Sequence, residues 1–167
     1  MTGDMGEPFL VFLLKPPPDV ADEIDFVRRR LGLDRSYSSD RLHVTVQSLG
    51  FRHALSEETI AEARAAADAL VHAPFHLVFD HVNGGKLEGS EPLRGFLAFR
   101  AAFQRALSAR IFYRQHRTPP HVTLVYGGAL ASCYVDAISW RAEEFLLIES
   151  LQGKGRHIER GRWKLRG

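Results

Sequence analysis

The chain has 167 residues, 45% of them hydrophobic and 25% charged, with a net charge of only +2. That balance belongs to a soluble globular protein with enough chain for one good core, and it excludes a disordered polymer or a long basic arm. Cys133 is the single cysteine, so there is no internal disulfide framework, and the pI near 8.9 permits a nucleic-acid partner without arguing for one.

The apolar run Phe9 to Leu14 reads as a buried strand. It follows Asp4 and Glu7 and is too short for a secretory signal or a membrane span, so the expectation is one domain over residues 1–167, cytoplasmic, away from membranes and working as a monomer. Pro16-Pro17-Pro18 stops the strand, and Asp19 reads as the cap of a helix with Val20, Ile24, Val27 and Leu31 at helical spacing. Arg28-Arg29-Arg30 suits the negative end of that helix as a solvated run, and Gly32 ends it. A strand over 42–50 follows. Ser56 then caps a second helix with Glu57 and Glu58 in its first turn, and Ile60, Ala63, Ala67 and Leu70 make a narrow small-residue stripe before Pro74.

Phe75 to Asp80 alternates as a strand with Phe75, Leu77 and Phe79 on one face, leaving His76 and His81 structural or solvated. Gly84-Gly85 is a turn and Lys86-Leu87-Glu88 a short strand. Ser90-Glu91-Pro92 reads as a helix opening with Ser90 as cap, followed by Leu93, Phe96, Leu97, Arg100, Phe103 and Leu107. Gly95 weakens that helix and leaves Gly95 to Phe99 readable as a strand. Ile111 to Pro119 is a basic loop holding Arg114, His116 and Arg117. After a strand at 120–128, Ala142 to Ile148 and Arg156 to Leu165 read as two more, joined by the turn Gln152-Gly153-Lys154-Gly155, with Trp140 and Trp163 as core or rim packing. The order is strand, helix, strand, helix, strand, strand, helix, strand, strand, strand, which is α+β.

Two of these strands resemble each other. Leu42-His43-Val44-Thr45-Val46-Gln47-Ser48-Leu49-Gly50 and Pro120-His121-Val122-Thr123-Leu124-Val125-Tyr126-Gly127-Gly128 lie close to half the chain apart. In a strand, residues i and i+2 share a face, so His43 with Thr45, and His121 with Thr123, point one way while Val44, Val46, Val122 and Leu124 point into a core. A single His-x-Thr is ordinary in a chain with eight histidines; two copies in strand-like runs, each ending in glycine, point to one shared site. Two imidazoles and two hydroxyls suit a phosphate ester. A neutral imidazole takes a proton from the attacking oxygen, a charged one gives a proton to the leaving oxygen, and the hydroxyls donate to the non-bridging oxygens. The scheme needs no metal and no cofactor, and the sequence has neither Cys/His metal spacing nor a glycine-rich nucleotide loop.

The duplicated His-x-Thr-x pattern resembles the signature of the two-histidine phosphoesterase superfamily, and within it the 2′-5′ RNA ligase and RNA 2′,3′-cyclic phosphodiesterase family. The likeness extends to the strand at Phe9 to Leu14, Gly84-Gly85, Pro119-Pro120 and Arg162-Trp163-Lys164-Leu165. It implies two similar lobes related by a pseudo-two-fold axis, each an antiparallel sheet with helices outside and one motif facing a central cleft. It implies a hydrolase of RNA processing that opens an RNA or nucleoside 2′,3′-cyclic phosphate to a 2′-phosphate. His43 would be the donor to the leaving O3′, His121 the group that activates water, and Thr45 and Thr123 the phosphate holders. Partners would be RNA ends or small cyclic nucleotides. Some relatives carry Arg at the position of Tyr126, which here supplies a hydroxyl without charge. Tyr126, Phe51, Arg114 and Arg117 are the further candidate substrate contacts. The alternatives are a 2′-5′ RNA ligase running the reverse chemistry, or an RNA-end binding module with little turnover. Retention of both His and both Thr favours an enzyme, since plain phosphate binding is better served by Arg.

Overall fold

The computed structural model describes residues 7–33, 38–126, 132–151 and 156–167. In chain order the elements are β1 (Pro8–Leu14), α1 (Pro18–Arg30), β2 (Val44–Phe51), α2 (Glu57–Ala69), β3 (Phe75–Asn83), β4 (Lys86–Glu88), α3 (Arg94–Ser108), β5 (His121–Thr123), β6 (Cys133–Ala142), β7 (Glu144–Leu151) and β8 (Arg156–Lys164). Neighbouring strands are antiparallel throughout one sheet of order β6-β3-β4-β5-β2-β1-β7-β8. The class is α+β, as expected, but the two expected sheets are one. Four strands on each side meet where β2 and β5 are joined by the single pair Val44↔Val122, and each side brings one His-x-Thr motif to that seam.

Alternation along β1 separates the two faces. Leu10, Phe12 and Leu14 enter the main core with Val20 and Ile24 of α1, Ala63, Ala66 and Ala67 of α2, and Phe96, Phe99, Phe103 and Leu107 of α3. Phe103 lies between Phe12 and Phe145, at 4.6 and 5.3 Å between ring centroids, and Phe145 stacks on Trp163 at 5.4 Å. All three helices therefore cover the same face. Val11 and Leu13 turn the other way and form a small cluster with Leu146, Ile148 and Phe9. This second face is the open one, and it is concave. β2 and β8 are three strand spacings apart, about 14 Å on a flat sheet, yet the rings of His43, beside β2, and His157, on β8, come to 5.6 Å.

Several local expectations change. Pro17, not Asp19, occupies the cap position of α1; Pro18 opens the helix and Asp19 sits in its first turn. The run Arg28-Arg29-Arg30 is not uniformly solvated, because Arg28 is buried and donates to Asp25 Oδ1 at 2.7 Å. Ser56 does cap α2, accepting from Thr59 N at 3.0 Å. Ser90 does not cap α3; its amide and hydroxyl both bond Asp80, and the helix starts after Leu93. Gly95 to Phe99 is helical, since Phe96, Phe99, Phe103 and Leu107 need a 3.6-residue period to reach one core. A whole strand was missing from the expected order, β6, which carries Trp140; β7 begins at Glu144 rather than Ala142. Gly84 and Gly85, at φ +58° and +79°, close the two-residue hairpin between β3 and β4. Gln152 to Gly155 and the motif's Gly127 and Gly128 lie outside the described residues.

Candidate active site

The site grows from buried valines. Val44, Val46, Val122 and Leu124 are each 0% exposed. Their alternate neighbours are therefore turned to the open face: His43 and Thr45 at β2, His121 and Thr123 on β5. Extending the Val44↔Val122 register by one residue each way sets His43 beside Thr123 and Thr45 beside His121. An antiparallel pair has a local two-fold axis, so one motif is carried onto the other by the strand pairing itself. The two imidazoles are diagonal neighbours, about 7–8 Å apart at the backbone, and among the described residues no further ladder pair joins the two strands. The four residues singled out from the sequence are thus together, although β5 spans only three residues and His43 lies one residue before β2.

Both rings are fixed in the same way. His43 Nδ1–H donates to the Arg41 carbonyl at 2.7 Å, and His121 Nδ1–H donates to the Pro119 carbonyl at 2.9 Å. A carbonyl only accepts, so the neutral ring carries its proton on Nδ1 and leaves Nε2 free for chemistry. Different local sequences produce this one bond. Before His43, a 3₁₀ turn over Ser39–Arg41 hands over to an extended Leu42. Before His121, the diproline keeps the backbone extended.

Burial is the main cause that holds His43 below the usual imidazole pKa; its bond to Arg41 opposes this, and the charges of Lys15, His121 and Arg41 add to it. His157 is pushed to about 3, first by burial and then by Lys15, His43 and Arg41. Lys15, whose Nζ donates to the Asp40 carbonyl at 2.9 Å, is itself lowered by burial. Beside the second motif, burial lowers His116, with Arg100 and His121 contributing.

The remaining candidates lie off the seam. Arg114 and Arg117 are exposed and line a groove of about 920 Å³ with Phe9, Ser48, Gly50 and His116, beside the second half of β2. Phe51 is 38% exposed at the end of β2, edge-on to Phe9 at 5.2 Å and stacked on His53 at 5.9 Å. Tyr126 is 65% exposed just after β5. His81 packs against Tyr134 at 4.8 Å.

Three residues carry weight here that the periodicity did not reveal. Gln47 should share a face with His43 and Thr45, but a bulge at Val46 reverses the alternation and turns it to the core side, opposite Phe12. There, 0% exposed, it donates to the Ser48 and Arg114 carbonyls at 2.7 and 2.8 Å and accepts from Gln104 and from His116 N, both at 2.9 Å. Lys86 is exposed and paired with Thr123, so its ammonium shares the open face with the second motif. His157 touches His43. The last two needed strand partners that the sequence does not name. Among the described residues, no group of three or more His, Cys, Asp or Glu side chains is placed to hold a metal ion.

A search of curated proteins finds no match to this chain. Among solved structures, a phosphoesterase is similar with a TM-score of 0.80 and 21% identity, covering 96% of this chain and 99% of that one. E. coli LigT complexed with 3′-AMP gives a TM-score of 0.78 and 23% identity, covering 96% and 100%. TT0787 of Thermus thermophilus gives 0.70 and 16%, covering 95% and 98%. At such identities these structures establish a common fold. The sequence itself adds more, because residues 16–150, which contain both His-x-Thr motifs, match the family model of the 2′-5′ RNA ligase superfamily, and the chain belongs to that superfamily of two-histidine phosphoesterases.

Proposed function

We propose that this protein hydrolyses the 2′,3′-cyclic phosphate of an RNA end or a nucleoside to a 2′-phosphate, with His43 and His121 as a paired acid and base. The observation that supports this reading is the matching Nδ1–H bond to the carbonyl two residues upstream, in two motifs that the strand pairing sets side by side, which leaves Nε2 of each ring available for proton transfer. His121 Nε2 takes a proton from water as its oxygen attacks phosphorus. The P–O3′ bond breaks on the opposite side, and His43 Nε2 gives its proton to O3′. Thr45 and Thr123 donate to the non-bridging oxygens. The environment of His43 favours its neutral form, so a phosphate anion between the rings supplies the opposing charge that lets it hold a proton. Lys86, beside Thr123, offers the cation that Tyr126 does not. Arg114 and Arg117 meet the charge of the strand beyond the reacting phosphate, and Phe51 offers a face to a base. That E. coli LigT has been crystallised with 3′-AMP and with phosphate is in keeping with such a site.

The test is incubation with an oligonucleotide ending in a 2′,3′-cyclic phosphate. Product with a 2′-phosphate is expected. A 3′-phosphate would reverse the choice of leaving oxygen, joining to a 5′-hydroxyl RNA in place of hydrolysis would make the protein a ligase in practice, and bound but unchanged RNA would leave only an RNA-end binder.

A further inference from the structure

We propose that His157 is a positioning residue for His43, a neutral imidazole packed edge-on against that ring so that Nε2 of His43 stays aimed into the cleft. The proposal rests on the reading of His43 as a catalytic group. The two rings lie 5.6 Å apart with 64° between their planes, an edge-to-face contact. The Nδ1–H bond to Arg41 holds one edge of His43. The second ring packs against another side of it and so supports the same orientation. His157 reaches the contact from β8, where it pairs with Ser150 on the face of Leu146 and Ile148.

What surrounds His157 favours a neutral ring. Among the described residues its Nδ1 is buried with no hydrogen-bond partner, so packing, not a polar tether, sets its place. A proton there would be an unsatisfied buried donor beside cations. Lys15 faces the two rings from the end of β1, Asp40 and Arg41 from the turn before β2, and His121 from β5, while Glu159 and Arg162 stand on the same face of β8. The low pKa of His157, about 3, is in keeping with this. Neutrality matters to its neighbour: a fixed charge at 157 would make His43 harder to protonate and spoil it as an acid.

The experiment measures steady-state kinetics on a cyclic-phosphate oligonucleotide, and follows the His43 Cε1–H by NMR through a pH titration, for wild type and three variants. His157→Ala should lower kcat about tenfold, a cost ordinary for a loosened catalytic group, leave KM within about twofold, and raise the His43 midpoint as water enters. His157→Phe, which keeps a neutral ring, should recover most of kcat and the wild-type midpoint. His157→Lys should lower both, and it carries the test if the Ala protein does not fold. A Phe protein as poor as the Ala protein would show that a ring nitrogen acts directly. A folded Ala protein with unchanged kcat and midpoint would show that the contact is idle. Either result overturns the proposal. Failure of the underlying reading looks different: His43→Ala would then keep its activity, whatever happens at residue 157.

Discussion

A histidine whose Nδ1–H is already given to a carbonyl has one nitrogen left to work with, and His43 and His121 share that condition. Replacing either by Ala should cost at least about 10²-fold in kcat/KM, the low end for acid–base catalysis. The double variant should be scarcely worse than the poorer single one, because each partner is of little use alone. Steady-state kinetics on the three folded proteins decide it, and a single variant with near wild-type kcat/KM would sink the shared site. The histidines also contribute to acid stability. His43 and His157 both titrate in the folded protein below the ordinary 6.5. As pH falls through that window the unfolded chain binds more protons than the folded one, so stability is present above pH 6.5 and is lost on acidification; for His157 the window runs down to about 3. His157→Phe should therefore lose less Tm between pH 7 and pH 4 than wild type does, and equal losses would contradict it. Both His and both Thr were legible at this scale because they sit two residues apart in apolar runs. The carbonyl that orients each ring was not legible, since its position depends on how the chain enters the strand.

Among the elements, the bulge in β2 has the widest effect. It turns Gln47 inward to tie β2, α3 and the 114–116 backbone together. Gln47→Ala strands buried partners and should cost about 1–3 kcal/mol, measured by urea unfolding. An unchanged midpoint would mean that the loop is held elsewhere. The same loop carries Arg114 and Arg117 past the groove beside β2. Changing both to Ala should raise KM and flatten its salt dependence while kcat stays near its original value; a collapse of kcat at constant KM would move these residues into the chemical step. Ser90 shows how a good local signal loses to a tertiary one, since Asp80 on β3 takes both its amide and its hydroxyl. β6 was hidden for the opposite reason. Ile138, Trp140 and Ala142 are buried, but Tyr134, Asp136, Ser139 and Arg141 are exposed on an edge strand and Ala137 blurs the alternation. The helices were easier, because Phe96, Phe99 and Phe103 or Val20 and Ile24 mark a period that one buried face requires.

At the scale of the whole molecule, two four-stranded halves meet, among the described residues, at one residue pair and place His43 and His121 across the joint. The proposed acid–base pair is chemically complete by itself, so exhaustive chelation should leave activity intact, and a loss restored only by a divalent ion would remove the mechanism. That the halves would each carry a motif was readable from the duplication. That they would form one continuous sheet was not, because a single backbone bridge leaves no mark in the sequence. The strand order also sets a timetable for synthesis. The half β5-β4-β3-β6 is drawn entirely from residues 75–142, whereas β2-β1-β7-β8 joins residues 8–51 to residues 144–164. The first of these can be complete once residue 142 has been made, but β1 must wait, with one edge bare, until Glu149 follows and meets Leu10. β1, which pairs with the strand that follows His43, is thus made before β2 and is secured on its other edge only when β7 arrives. In the cell, an unfinished chain of this protein would offer a sticky apolar edge long before it offered a working site.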